Sequence, residues 1–285
     1  MRVWGEEAAL LERAGADVGG LAALERDLDR ALDLPGRDGA VDAHVHLGRD
    51  ADGHRLDAAR LLADLDRWRI AAAVCFAADD PGPAGQFGPA NAAVLEAARR
   101  AEGRIVPFCR VDPSRPGAAR AMERAGAGGA RGLKLHPVAQ RFRPEDPAVA
   151  DVVREAAARG WPVTIHAGYG ARPVAGPIGD LLDAAPGARL VLAHAGRGDA
   201  RSVARLVAER PGLMLDTSLA CLADLVALPP ERLCLGSDRP YGEHGTALRL
   251  VALAARVAGW TERAVAGVLG GNARALLGAA PAVAA

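Results

Sequence analysis

Aromatic side chains are scarce in this chain of 285 residues, which has four Phe, four Trp and two Tyr. Half of the residues are nevertheless hydrophobic, so a large core must be filled by Leu, Val, Ile and Ala, which suits strands and amphipathic helices. Cysteine is scarce too. Cys75, Cys109, Cys221 and Cys234 lie far apart with no C-x-x-C pair, and three of them sit in apolar strand-like runs, so they read as buried thiols. An excess of either sign of charge is missing: 35 basic residues balance 35 acidic ones, which leaves no global field for nucleic acid or an acidic membrane surface. No apolar run reaches the length of a bilayer span, and Met1 to Ala9 carries two glutamates and no signal-like apolar segment. A cytoplasmic protein acting on a small molecule is the expectation. No strand-like run leads into G-x-G-x-x-G, so neither nicotinamide nor flavin is implied.

What is present is an alternation. Short apolar runs occur at residues 39–46, 70–77, 104–111, 130–137, 161–168, 188–196, 212–218 and 231–238. Longer Ala/Leu/Arg-rich segments with helical spacing separate them, as in the stripe Leu61, Leu65 and Trp68. Most of the runs are apolar on both faces, as a parallel sheet covered by helices requires. Strict alternation allows a closed barrel or an open doubly wound sheet. Eight strands at intervals of 19 to 34 residues, in a chain of this length, match an α/β fold of the (β/α)8 TIM-barrel type better. Leu21, Leu24, Leu28 and Leu32 share a helical face, so residues 5–33 are expected to form an added N-terminal helical hairpin. The division is then a helical extension over 1–38, the barrel over 39–278, and a frayed Ala/Pro-rich tail over 279–285.

Five of the seven histidines fall at or beside the C-terminal end of an expected strand, where this fold carries its active site. His44 and His46, two apart on one strand, share a face and can reach one metal. His166 ends the fifth strand, His194 the sixth and Asp238 the eighth. Imidazoles with one carboxylate suit Zn²⁺ or another late divalent ion and suit Mg²⁺ or Ca²⁺ poorly. A lone H-x-H is a weak signal. The ordered set of H-x-H, Lys134, His166, His194 and Asp238 would need several coincidences to arise without function.

The segments VDAHVH, GLKLHP, TIHAG, LAHAG, LGSDRPYG and GGNARALLG, spread over residues 39–278, resemble the amidohydrolase superfamily, and within it the amidohydrolase-related branch that includes aminocarboxymuconate-semialdehyde decarboxylase. The resemblance implies a (β/α)8 barrel with one metal held by His44, His46, His166 and Asp238. It also implies that His194 contacts the metal's water, and that Gly271 and Asn272 lock the last helix onto the barrel. It argues against carboxylation of Lys134 to bridge two metals, and leaves Lys134 as a substrate-binding cation.

Such a site can activate water to cleave an amide, lactone or ester, with His194 or the free oxygen of Asp238 moving the proton. It can equally serve a lyase that decarboxylates or hydrates an unsaturated or aromatic acid. The hydrolase is favoured over the lyase, and a barrel kept only as a binding protein comes third. One Zn²⁺, or alternatively Mn²⁺, is the expected cofactor, and a homodimer is an open expectation. Beyond the metal set, Arg239 and Tyr241 stand out as substrate contacts because they follow Asp238 directly. Arg110, Gln140, Arg141, Tyr169, Arg172 and His244 are weaker candidates from loops on the same side. His54 is expected to be exposed, and His136 to serve structure or substrate equally. Asp216 is expected to open a turn with Ser218, the alternative being to orient a histidine.

Overall fold

Continuous apolar runs become strands here because both of their faces are buried. The computed structural model describes residues 32–78, 86–168, 173–197 and 199–278. It divides into the units Met1–Leu34 and Pro35–Ala285. The hairpin expected over residues 5–33 falls almost wholly outside the described residues, and the expected tail falls outside them altogether.

The larger unit contains β1 (Ala40–Arg49), β2 (Arg55–Leu56), β3 (Ile70–Ala77), β4 (Ile105–Pro107), β5 (Cys109–Arg110), β6 (Leu133–Leu135), β7 (Pro162–Ile165), β8 (Arg189–Leu192), β9 (Leu213–Asp216) and β10 (Leu233–Cys234). All eight expected strands are present. β2 is an unforeseen addition that pairs antiparallel with the end of β1, and the third expected strand is split at Phe108 into β4 and β5. Two parallel arcs, β1-β3-β4 and β5 through β10, make up the sheet. Backbone hydrogen bonds join them into a ring. At the split, Phe108 N donates to Cys75 O and Cys109 N to Gly132 O, at 2.8 and 2.9 Å. At the other seam Ala43 N donates to Leu235 O, Asp238 N to His44 O, and His46 N to Arg239 O, at 2.7 to 2.9 Å. The closed eight-stranded barrel follows from these bonds.

Helices alternate with the strands: α1 (Ala58–Arg67), α2 (Gly88–Arg100), α3 (Ala118–Ala127), the short α4 (Pro137–Gln140), α5 (Pro147–Ala158), α6 (Ala175–Ala184), α7 (Ala200–Glu209), α8 (Leu222–Ala227), α9 (His244–Ala258), α10 (Glu262–Ala266) and α11 (Asn272–Leu277). Their stripes face inward as expected, with Leu61 and Leu65 of α1 fully buried. Among the described residues, apolar clusters pack the interior. Val41, Ala43, Val191, Met214 and Cys234 pack with Ala273, and Val74, Phe76, Val106 and Phe108 pack with Leu277. Helix α11 thus seals the barrel at the end of the strands away from the histidines. Asn272 ties it there by donating from Nδ2 to Pro230 O and Leu233 O, at 2.9 and 2.7 Å. Cys75, Cys109 and Cys234 are buried and Cys221 is half-buried. Among the described residues no helix is long and apolar enough to cross a membrane.

Candidate metal centre

The C-terminal ends of β1 and β10 meet at the seam, and their polar residues are forced together. A register shift between Asp42 and Val45 sits in β1; it contains His44 and directly precedes His46. Asp238 adopts a left-handed conformation, φ 59°, where the chain turns off the end of β10. Three atoms converge. His44 Nε2 lies 3.3 Å from His46 Nε2 and 3.1 Å from Asp238 Oδ1, and His46 Nε2 lies 3.3 Å from the same oxygen. A tetrahedral ion with ligands at about 2.0–2.1 Å holds them about 3.3 Å apart. The triangle therefore has the edge lengths of one face of a zinc-type site.

Lone-pair direction agrees with that fit. His44 Nδ1 donates to Asp216 Oδ2 at 2.7 Å, which commits the proton to that side and turns the Nε2 lone pair toward the triangle. A carboxylate holding the far nitrogen of a ligating imidazole fixes its tautomer and its angle. His194 is held in the same way. Its Nδ1 lies 3.0 Å from Ser218 O, to which it donates, and its backbone N donates to Asp216 Oδ1 at 3.1 Å. The backbone at His194 is left-handed, φ 59°. His194 Nε2 then faces the Nδ1 of His166, 3.1 Å away. Atoms of His44, His194 and Asp238 all lie within 4.8 Å of one another, and His166 adjoins this set through that contact. The other ring nitrogen of His166 faces Gly168 O at 2.7 Å. Gly168 cannot be larger, because a Cβ there would meet the His194 ring at 2.9 to 3.1 Å.

Burial sets the charges. It is the main reason that His46 is pushed down to about 4 and His194 to about 3, so both are neutral at pH 7. Burial and Lys134 act downward on His44 as well, but Asp216 and Asp238 outweigh them and raise it. Burial would raise Asp216, yet the charge and hydrogen bond of His44 hold it at about 2. Asp238 is lowered further still, against its own burial, by His44 and His46.

A cavity of about 360 Å³ opens over this cluster, bounded in part by His46, His166, His194, Asp238 and Tyr241. Tyr241 stands edge-on to His46 at 5.2 Å and donates to Asp50 Oδ2 at 2.8 Å. His54, half-exposed as expected, packs on the other side of Tyr241 and pairs with Asp50. Asp50 and Asp52 also bound the cavity. Neither is among the residues expected from sequence, although their place just after the H-x-H strand is the available signal.

Of the other expected site residues, some lie away from the cavity and some at the centre itself. Arg239 is turned away from the cavity because two carboxylates claim its guanidinium, Asp64 of α1 at 2.6 Å and Glu243 at 2.7 Å. His244 is buried at the start of α9, with Nε2 3.0 Å from Asp42 Oδ2, and does not line the cavity. Gln140 is structural, its amide donating to Val111 O and its oxygen accepting from His136 N. Lys134 is fully buried, with Nζ 3.1 Å from His44 Nε2 and 4.3 Å from the centre of the Phe76 ring. Arg110 is equally buried, over Phe87 and donating to Ala77 O. Tyr169 and Arg172 lie outside the described residues. Asp216 does both jobs considered for it, since besides holding His44 it accepts from Ser218 N at 3.0 Å.

Asp42 was not foreseen as part of the site's support. Its Oδ1 accepts from His44 N and Ser237 N, each at 3.0 Å, and its Oδ2 from Ser237 Oγ. One carboxylate thus brackets the strand carrying His44 to the turn carrying Asp238.

A closed parallel barrel with a histidine and aspartate cluster in its C-terminal mouth is a TIM barrel that carries a candidate metal site. The amidohydrolase family profile matches residues 41–279, and the chain belongs to that family. No curated protein matches the sequence. Solved structures similar to it include an uncharacterized TIM-barrel protein from Bordetella bronchiseptica, 17% identical, TM-score 0.68, covering 84% of this chain and 98% of that one. A zinc-bound amidohydrolase from Burkholderia multivorans is 17% identical, with a TM-score of 0.64 and coverage of 84% and 99%. A 5-carboxyvanillate decarboxylase from Novosphingobium aromaticivorans, complexed with manganese and 4-hydroxy-3-methoxy-5-nitrobenzoic acid, is 12% identical, with a TM-score of 0.66 and coverage of 86% and 98%.

Proposed function

We propose that the chain is a metal-dependent hydrolase that cleaves an amide, lactone or ester of a small molecule. The observation that carries this reading is the triangle of His44 Nε2, His46 Nε2 and Asp238 Oδ1, with edges of 3.1 to 3.3 Å. His44, His46, His166 and Asp238 would hold one divalent transition ion, Zn²⁺ or Mn²⁺. When bound, such an ion polarises a carbonyl and makes water nucleophilic near neutral pH.

The chain's own residues supply the rest. His194, kept neutral by burial and held by Ser218 at Nδ1, presents Nε2 as the proton acceptor. It takes a proton from the attacking water as the carbon–oxygen bond forms, and returns it to the leaving nitrogen or oxygen as the scissile bond breaks. Asp216 keeps both His44 and the His194 backbone in place through separate oxygens. Hydrolysis is favoured over decarboxylation by the rim, where Asp52 presents an exposed carboxylate and the buried Asp50, held by Tyr241 and His54, adds negative charge behind it. A carboxylic acid bound at the metal would meet that repulsion, whereas a neutral amide, lactone or ester would not. The lyase alternative draws on the likeness to a structure described as a decarboxylase.

Plasma emission on chelator-free protein tests the metal: one transition ion per chain is expected in wild type, with loss in His46→Ala and Asp238→Ala. Two per chain would promote Lys134 to a metal-bridging role. None after Zn²⁺ and Mn²⁺ addition would refute the reading. Turnover in ¹⁸O-water then separates the chemistries, because hydrolysis places the label in the product carboxylate, whereas a lyase releases CO2 from an aromatic or unsaturated acid, or hydrates a double bond, without cleaving an acyl bond.

A further inference from the structure

The cavity over the histidines has a larger neighbour. A groove of about 750 Å³ lies beside it at the same end of the barrel, formed by the segments that follow β6 and β7. Val138, Phe142, Val174 and Ile178 give it an apolar lining, and four prolines in the same walls stiffen it. His166 belongs to the walls of both spaces. Its ring stacks on His136 at 3.9 Å and 13°, so the partition between them is a pair of flat imidazoles.

Charge differs across that partition. The smaller cavity is fringed by Asp50 and Asp52. The groove carries Arg141 and Arg143 with Glu145. Arg143 is bound by Glu145 at 2.8 Å, while among the described residues no carboxylate pairs with the exposed Arg141. The groove therefore offers an apolar trough with one uncompensated cation at its edge.

We propose that this groove is the subsite for an apolar arm of the substrate that ends in an anion. The reacting bond lies at the histidine cluster, the arm passes His166 and rests on Val138, Phe142 and Ile178, and the terminal carboxylate or similar anion meets Arg141. The rigid lining favours such an arm because little side-chain ordering is needed when it binds. Size is also suitable, since ligand sites commonly occupy about 300–1,000 Å³. The proposal rests on the hydrolytic reading only for the identity of the bond that breaks.

Binding can be tested without turnover. The probe is 4-phenylbutyrate, followed by saturation-transfer NMR on the metal-loaded full chain, with neutral 4-phenylbutyramide as its partner. Saturable binding of the acid is expected in wild type, about tenfold tighter than that of the amide. Val138→Asp, a change at an exposed position, and Arg141→Glu should each weaken the acid at least tenfold, with metal content unchanged. Arg141→Glu should leave the amide unaffected. Binding should persist in His46→Ala, whose metal site is impaired. Absence of binding in wild type, or an affinity in both groove variants equal to that of wild type, would overturn the proposal. Loss in His46→Ala alone would overturn it too, since the carboxylate would then be sitting on the metal. If the probe binds as described but no ester, amide or lactone is turned over, the hydrolytic reading fails and the groove stands.

Discussion

Gly168 and Asp216 show how little freedom the site leaves to single residues. Gly168→Ala would press a Cβ into the His194 ring at 2.9 Å, and the expected outcome is a fall in kcat of tenfold or more with metal content retained. An unchanged kcat would separate His194 from the chemistry. Asp216→Ala removes the acceptor at His44 Nδ1 and should weaken metal affinity about 10–100-fold, measurable by competition with a chromophoric chelator. Acid also acts at this scale. His46 and His194, lowered by burial to about 4 and about 3, take up protons more readily in the unfolded chain, near 6.5. They therefore contribute stability that is fully present above pH 6.5 and is lost as pH falls toward those values. His44, raised in the folded state, works in the opposite direction. The metal-free protein should lose thermal stability between pH 7 and 4, and His46→Gln should flatten that slope in a calorimetric series.

The elements that matter most are the first and last strands of the ring, because the seam between them is also the candidate metal site. Asp42 spans it with bonds to His44 N, Ser237 N and Ser237 Oγ. Asp42→Ala leaves those buried donors unmatched, and at about 1–3 kcal/mol for each such group a lowered urea midpoint and weaker metal binding are expected together. Conservative Asp42→Asn should recover part of both. The strands themselves could be read from sequence because their runs are apolar on both faces. The seam's bracket could not, since an aspartate inside VDAHVH looks like any polar residue near a strand's start until its partners, 195 residues on in the case of Ser237, are known. Arg239 misled for the same reason. Adjacent to the candidate ligand Asp238 in sequence, it is turned outward by Asp64, which lies 175 positions away. β2 is only two residues long, too short for any periodicity to register.

For the whole molecule, class and closure were legible, since helix and strand periods alternate with few exceptions and the histidines fall at one end of successive strands. Which nitrogen faces which neighbour was not, because ring orientation depends on Asp216, Ser218 and Gly168 acting from other strands. Anything that binds the folded ring and not the unfolded chain stabilises it. Removing the ion with a chelator should lower the melting temperature by about 5–10 °C, the shift expected when a ligand is present at about a hundred times its Kd. A melting curve indifferent to chelator would mean that the four side chains hold no metal.

His44 and Asp238 are neighbours in space but lie at opposite ends of the barrel segment, so the order in which the chain is made bears on when the site can exist. A nascent chain that has displayed H-x-H but not yet reached Asp238 has imidazoles and no completing carboxylate. Specific loading is then expected to follow synthesis of nearly the entire barrel, and a fragment ending before β10 should hold a transition ion far more weakly than the full chain.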